Sequence, residues 1–177
     1  MRIPIVAPML HEWDNFYITT GAASASLIGL LFVVVTLGGR MPSSDVADGV
    51  RAFLMPALVH FCGVLLIALV VLSPFASPWP VAVIFCLAGS GGLAYLTKNV
   101  LMRRKVDFVL LHWLDWIPYA VVPALGNASM IAGAAGLIAE KSFAPYAIAG
   151  AASLFLFLGI YEAGDLTFWI IRNGRQQ

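Results

Sequence analysis

The sequence has little charge. Only 11% of its 177 residues are Asp, Glu, Lys or Arg and 61% are apolar, whereas a soluble domain has roughly 25% charged and 45–50% apolar residues. The mean hydropathy is +0.92, and several apolar stretches exceed the ~18 residues that mark a membrane span. This composition excludes a water-soluble globule and predicts an integral membrane protein.

Basic residues are also scarce. The 10 Lys and Arg residues are scattered through short loops and form no large basic face, so the sequence excludes nucleic acid as a partner. It contains no Ser/His/Asp hydrolase set, nucleotide-binding loop, H-E-x-x-H sequence or EF-hand loop. Enzymatic activity is therefore the weaker class of function, with a lipid-modifying enzyme that uses scattered His and Asp residues left open.

Cysteine occurs only twice, at Cys62 and Cys86. Both residues fall inside predicted spans, at different depths, so we expect no disulfide bond between them. We interpret both as buried small apolar residues.

Five apolar stretches divide the chain, and we predict an all-α fold with one integral membrane domain over residues 1–177. Each stretch has about the 20 residues needed to cross the hydrocarbon, and Pro and Gly residues separate them. The segment 106–116 is either an interfacial helix or the start of a long, tilted fourth span. The predicted spans are residues 16–39, 52–73, 81–102, 117–139 and 146–171.

Basic residues are distributed unequally between the two sides of these spans. Cytoplasmic loops of membrane proteins carry an excess of Lys and Arg. This rule predicts an N-terminus outside and a C-terminus in the cytoplasm. One side holds Arg40, Arg51, Lys98, Arg103, Arg104, Lys105, Arg172 and Arg175, and the other holds Arg2 and Lys141.

Small residues recur four positions apart in three of the spans. Such spacing lets helix backbones approach closely in lipid. Packing within one chain explains any single pair, and the presence of three sets in so small a protein predicts a homo-oligomer. A further run of small residues, 88–92, either loosens the third span or lets a bulky neighbour pack, and we favour packing. The pairs are Gly21/Ala25/Gly29, Ala22/Ser26, Ser129/Gly133, Ala132/Gly136, Ala147/Ala151 and Gly159/Ala163.

Polar side chains in three spans are predicted to lie at one depth. His60 follows Arg51 by nine positions, Asp115 follows Lys105 by ten, and Glu162 precedes Arg172 by ten. At ~1.5 Å per residue each lies on the order of 14–15 Å from its basic anchor. His112 and Asp165 lie one turn shallower, three positions from Asp115 and Glu162 and therefore on the same helix faces. Lys98, Asn99 and Tyr161 are expected at the edge of this layer.

This layer predicts a cation or proton site. A carboxylate in hydrocarbon costs about 2.5–3.5 kcal/mol even on a lenient scale, so it normally faces a partner, water or an ion. The acids outnumber the local cations, and crowding favours proton uptake by at least one of them. In the alternative interpretation Trp113, Trp116 and Tyr119 mark the membrane–water interface. His112, Asp115 and Asp165 then lie in the hydrated headgroup region.

Other roles remain open for the same residues. A metal cation is one possible ligand, with His112, Asp115, Glu162 and Asp165 as the candidates for binding it. A haem held by His60 and His112, as in a redox subunit, is the second alternative. The third is a structural or regulatory subunit of a membrane complex.

The first span has a pattern of small, aromatic and aliphatic residues: Trp13, Phe16, Gly21, Ala22, Ala25, Leu27, Gly29, Leu30, Phe32 and Val33. In these residues it resembles the opening span of small uncharacterised polytopic proteins from bacterial inner membranes. The resemblance covers about the first quarter of the chain and implies a location in the bacterial inner membrane. It transfers no functional residue.

Overall fold

A computed structural model describes residues 10, 12–38, 54–103 and 117–174 of the chain, and these residues are all-α. A π-helical turn at Ile117–Val121 precedes the fourth long helix. The long helices are α1 (Asp14–Gly38), α2 (Met55–Leu72), α3 (Pro78–Arg103), α4 (Val122–Ile138) and α5 (Ala144–Gly174).

All five helices are long and apolar enough to cross a membrane. Most of their bounds differ from the predicted spans by at most three residues, as in α2, which begins at Met55 rather than at residue 52. The exception is α4, which begins at Val122, five residues after the predicted start and directly after the π-helical turn. Helices form here because backbone N–H and C=O groups find no water in hydrocarbon and must bond within their own segment. The prediction of an all-α protein with five candidate spans is confirmed, and the chain is a multi-pass membrane protein.

Prolines begin the helices rather than only separating them. Pro78 is the first residue of α3, and Pro56, Pro123 and Pro145 are the second residues of α2, α4 and α5. The first N–H groups of any helix have no partner within the helix, so a proline costs nothing there. This is why α3 starts at Pro78, three residues before the predicted start of the third span at residue 81.

The helices pack in the spatial order α1–α2–α5–α4–α3, with α5 in the centre. Neighbours in this row are antiparallel, and the buried apolar side chains form two clusters at different levels. The smaller cluster, which includes Leu54 and Leu166, surrounds the first residues of α2 and the last residues of α5. The half of the bundle around this smaller cluster also holds Glu162 and Asp165, and we call it the polar half. The opposite half, around the larger cluster, is the apolar half.

Several of the small residues serve contacts within one chain. A Cβ atom added at Gly21 would lie 2.8 Å from the Ala68 Cβ, and one added at Gly159 would lie 2.6 Å from the Phe61 ring. Glycine at these positions therefore lets α1 and α5 approach α2 closely. Homo-oligomerisation stays a prediction. The small residues of α1 that remain exposed are Ala22, Ala25, Ser26 and Gly29.

The glycine run of α3 also serves packing, as we predicted. The helix is continuous from Pro78 to Arg103. A Cβ atom at Gly89 would lie 2.7 Å from Ile131 of α4, and one at Gly92 would overlap the Asn127 side chain. Gly89 and Gly92 are thus the positions of the run on which α4 packs, whereas no atom lies within 4 Å of a Cβ at Gly91.

Both cysteines are free, which confirms the expectation of no disulfide bond. The prediction that both are buried is wrong. Cys62 is exposed and Cys86 is only half-buried, because Cys62 lies on the face of α2 that no described helix covers. Apolar composition cannot distinguish a lipid-facing position from a core position, since both are dry.

The C-terminus of α4 ends in a Schellman motif with a strained residue. The Lys141 N–H donates to the Gly136 carbonyl over 2.9 Å and the Glu140 N–H donates to the Leu137 carbonyl over 3.3 Å. This motif needs a left-handed residue, usually glycine, and here Glu140 takes that conformation with φ of 52°.

We expect Glu140→Gly to raise the free energy of unfolding by about 1 kcal/mol, because glycine has no Cβ to strain the left-handed conformation. Denaturation in mixed detergent micelles measures this change. Lys141→Gly is the control, since positive φ among the described non-glycine residues is confined to Glu140. An equal gain in both variants would contradict the explanation.

Candidate functional site

Glu162 lies on the central helix α5 and is buried, with 2% of its surface exposed. Among the residues whose side-chain burial the structure describes, it is the one buried residue of a charged type. Glu162 faces α2 rather than lipid. Gly159, three residues earlier and therefore on the same face of α5, lies against Phe61 of α2.

His60 of α2 is the partner of Glu162. Its Nδ1 lies 2.7 Å from Oε2 of Glu162, and its side chain is 12% exposed. The imidazole also lies beside the Phe155 ring, with 5.7 Å between ring centroids. The Ser24 hydroxyl of α1 donates to the carbonyl of Phe61 over 2.6 Å. This buried bond fixes α1 to α2 at the residue that follows His60.

Asp165 lies one turn beyond Glu162 on the same side of α5 and is half-buried. The Tyr119 hydroxyl, from the π-helical turn before α4, donates to Oδ2 of Asp165 over 2.6 Å. The Tyr119 and Tyr161 rings meet edge to face, with centroids 6.4 Å apart. The two acids of α5 thus bind to different neighbours. Glu162 contacts His60 of α2, and Asp165 accepts a hydrogen bond from Tyr119 in the segment that leads into α4.

The structure brings together part of the predicted layer. His60 and Glu162 lie at one level, as the helical rise predicted, and Asp165 lies one turn away. His112 and Asp115 lie outside the described residues, so their place in the layer stays a prediction. Lys98 is exposed on α3 and forms no ion pair with the described acids.

The metal and haem alternatives each depend on residues outside the described part. The haem alternative needs His112, which is one of them. Within the described ranges no group of three His, Cys, Asp or Glu side chains is placed to hold a metal ion. The described part of the site is therefore one imidazole, two carboxylates and the Tyr119 phenol.

This arrangement can hold and exchange protons. At 2.7 Å one proton must lie between His60 Nδ1 and Glu162 Oε2, because two lone pairs at that distance would repel. The proton is shared either as an imidazole N–H on a carboxylate or as a carboxyl O–H on a nitrogen. The second ring nitrogen of His60, Nε2, is another atom that can bind a proton. The Asp165 carboxylate, which accepts a hydrogen bond from the Tyr119 hydroxyl, is a third proton-binding group one turn away.

Three residues of the site were missed by sequence reasoning. Ser24 had a usable signal, since it lies three residues after Gly21 and therefore on the same face of α1. Tyr119 entered the sequence analysis only as a marker of the interface in the alternative interpretation, and its hydrogen bond to Asp165 was not predicted. Phe155 had no signal, because nothing distinguishes it from the other phenylalanines of α5.

Comparison of the chain with protein-family models, with curated proteins and with solved structures found no match.

Proposed function

We propose that this protein binds or conducts a proton, or a small cation in its place, within the membrane through His60, Glu162 and Asp165. The observation that carries the proposal is the 2.7 Å contact between His60 Nδ1 and Glu162 Oε2 inside the bundle. The pair lies where a purely structural protein would place apolar side chains, because each intramembrane acid costs about 2.5–3.5 kcal/mol.

A proton fits the described geometry better than a metal ion does. The pair offers two ligand atoms that already contact each other, so a metal ion would have to separate them. A proton needs no further ligand and can pass between a nitrogen and an oxygen at this distance. Imidazole is moreover the side chain whose charge changes most readily between pH 5 and 8.

The setting of the site belongs to the same proposal. The unequal distribution of Lys and Arg supports an N-terminus outside and a C-terminus in the cytoplasm, which turns the polar half toward the cytoplasm. The resemblance of the first span supports the bacterial inner membrane. The exposed small residues of α1 support a homo-oligomer.

Ion flux in proteoliposomes tests the proposal, with a panel of monovalent and divalent cations and a pH-sensitive dye inside the vesicles. We expect Glu162→Gln to lower the flux of the transported species by about tenfold or more, which corresponds to about 1.4 kcal/mol of added barrier. Asp165→Asn is expected to lower it by less, because Asp165 is half-buried and held by one phenol.

Glu140→Gln is the matched control, because Glu140 is exposed in the turn between α4 and α5. It should leave the flux unchanged. Equal flux in the parent and in Glu162→Gln would contradict a role for the pair. A parent that carries neither ions nor protons would contradict conduction, and binding is then decided by the infrared measurement described in the Discussion.

A further inference from the structure

The Phe155 ring fills the space between α2 and α4. It lies next to the His60–Glu162 pair, on the side of the apolar half. It lies on α5 seven positions before Glu162, which places both side chains on the same face. One edge of its ring faces α2, where a Cβ at Gly63 would lie 3.4 Å from Cδ2. The other edge faces α4, where a Cβ at Gly126 would lie 2.5 Å from Cε1. Only glycine leaves room for the ring at Gly126.

The side chains beyond Phe155, in the apolar half, form a dry barrier. From Phe155 to the start of α5 at Ala144 the helix rises about 16 Å. Buried apolar residues of α2, α3, α4 and α5 fill this level of the bundle. They include Val64, Ile67, Phe85, Met130, Ile148 and Ala152.

The few buried polar groups in and next to the apolar half do not connect. Thr20 and Asn127 each donate to the backbone carbonyl four residues earlier in their own helices. The Tyr17 hydroxyl is buried and has no hydrogen-bond partner in the part of the chain that the structure describes. The described residues therefore provide no chain of hydrogen bonds by which a proton could leave the pair through this half.

The polar half differs in this respect. Asp165 lies one turn from Glu162, and the Tyr119 hydroxyl contacts it over 2.6 Å. Tyr161 is half-exposed beside Tyr119. Polar atoms thus continue from the pair toward the end of α5, whereas the described residues past Phe155 provide only isolated polar groups.

From these contacts we infer that the Phe155 ring and the packed apolar side chains beyond it close the apolar half of the bundle, with the ring as the layer next to the His60–Glu162 pair. The pair therefore exchanges protons through the polar half alone while the ring stays in place. The inference rests on the proposed function and adds its access route. Conduction across the whole membrane then requires the ring to leave the gap between Gly63 and Gly126.

Proton permeability of proteoliposomes tests the barrier, with a potassium diffusion potential as the driving force and a pH-sensitive dye inside. Phe155→Ala is expected to raise the proton conductance by about tenfold, because water can take the place of the ring and the apolar path that a proton must cross becomes shorter. The increase should be lost in Phe155→Ala/Glu162→Gln. Phe157→Ala is the matched control, since Phe157 lies two residues away with 72% of its surface exposed, and it should leave the conductance at the parental value.

Phe155→Leu serves as a second variant, because alanine removes a buried ring and can lower the folding yield. Leucine keeps an apolar side chain but cannot reach both neighbouring helices. It should give a smaller increase with the same dependence on Glu162. Unchanged conductance in both folded variants would overturn the barrier, and so would an increase that persists after Glu162→Gln.

The two proposals fail in different ways. If the proposed function is wrong, Glu162→Gln matches the parent both in flux and in the infrared spectrum, whatever Phe155→Ala does. If only the barrier is wrong, Glu162→Gln still lowers the flux, while the Phe155 variants behave as the parent does.

Discussion

Leucine in place of His60 is expected to lower the free energy of unfolding by about 3–5 kcal/mol at pH 8, because it leaves the Glu162 carboxylate buried without its partner. His60 Nδ1 is the one hydrogen-bond partner that Glu162 has among the described residues. Reversible unfolding in mixed detergent micelles, followed by circular dichroism, measures the loss.

A double-mutant cycle separates the pair from ordinary packing. Glu162→Leu alone should cost less than His60→Leu, because it leaves an imidazole that can be neutral. His60→Leu/Glu162→Leu should recover stability to within about 1 kcal/mol of the parent, since apolar replacement of a buried ion pair is often neutral or stabilising. Additive effects of the two changes would show that the side chains do not interact.

Among single glycine-to-alanine changes in α5, Gly159→Ala is expected to lower the free energy of unfolding most. Its Cβ would lie 2.6 Å from Phe61 Cε1 and within 3 Å of two more ring atoms. Phe61 is fully buried and its backbone carbonyl accepts the bond from Ser24, so the ring cannot easily move. Overpacking of this kind costs about 1–3 kcal/mol, and it should also shift His60, the residue next to Phe61.

Gly150→Ala is the matched control on the same helix. No atom lies within 4 Å of a Cβ at that position, so the variant should gain about 0.5–1 kcal/mol from better helix propensity. Unfolding in mixed micelles should therefore separate the two variants by about 1.5–4 kcal/mol, from these two magnitudes together. Equal stabilities would show that α2 and α5 are not in close contact at Gly159.

The helices could be predicted from sequence because hydrocarbon imposes one simple demand. A segment of about 20 apolar residues must bond its own backbone, so the limits of α1 to α5 follow from composition and from the prolines. The error at Pro78 has the same origin. Proline signals either a turn or a first helical turn, and the apolar residues after it decide between them.

The sequence predicts that His60 and Glu162 lie at the same depth in the membrane. It does not predict that their side chains face each other. A regular rise places two residues at one level when they are equally far from their basic anchors. It does not give the rotation of each helix about its axis, which depends on close contacts such as Gly159 against Phe61. For the same reason the sequence could not pair Asp165 with Tyr119, or place Cys62 on an exposed face.

Ser24 and Phe155 show which parts of a site remain hidden from sequence. Both residues act through the neighbours that they meet, a carbonyl of α2 for Ser24 and glycines of α2 and α4 for Phe155. Neither residue type is unusual in a membrane span. Their roles emerge only once the spatial order α1–α2–α5–α4–α3 is known.

The most direct test of the central claim is the infrared difference spectrum between acidic and alkaline pH of the protein in lipid, recorded for the parent and for Glu162→Gln. If Glu162 binds an exchangeable proton inside the bundle, the parent shows a protonated-carboxyl band that forms and disappears reversibly and shifts in heavy water. That band is missing from Glu162→Gln and retained in Glu140→Gln. Identical spectra for the parent and Glu162→Gln would contradict the account.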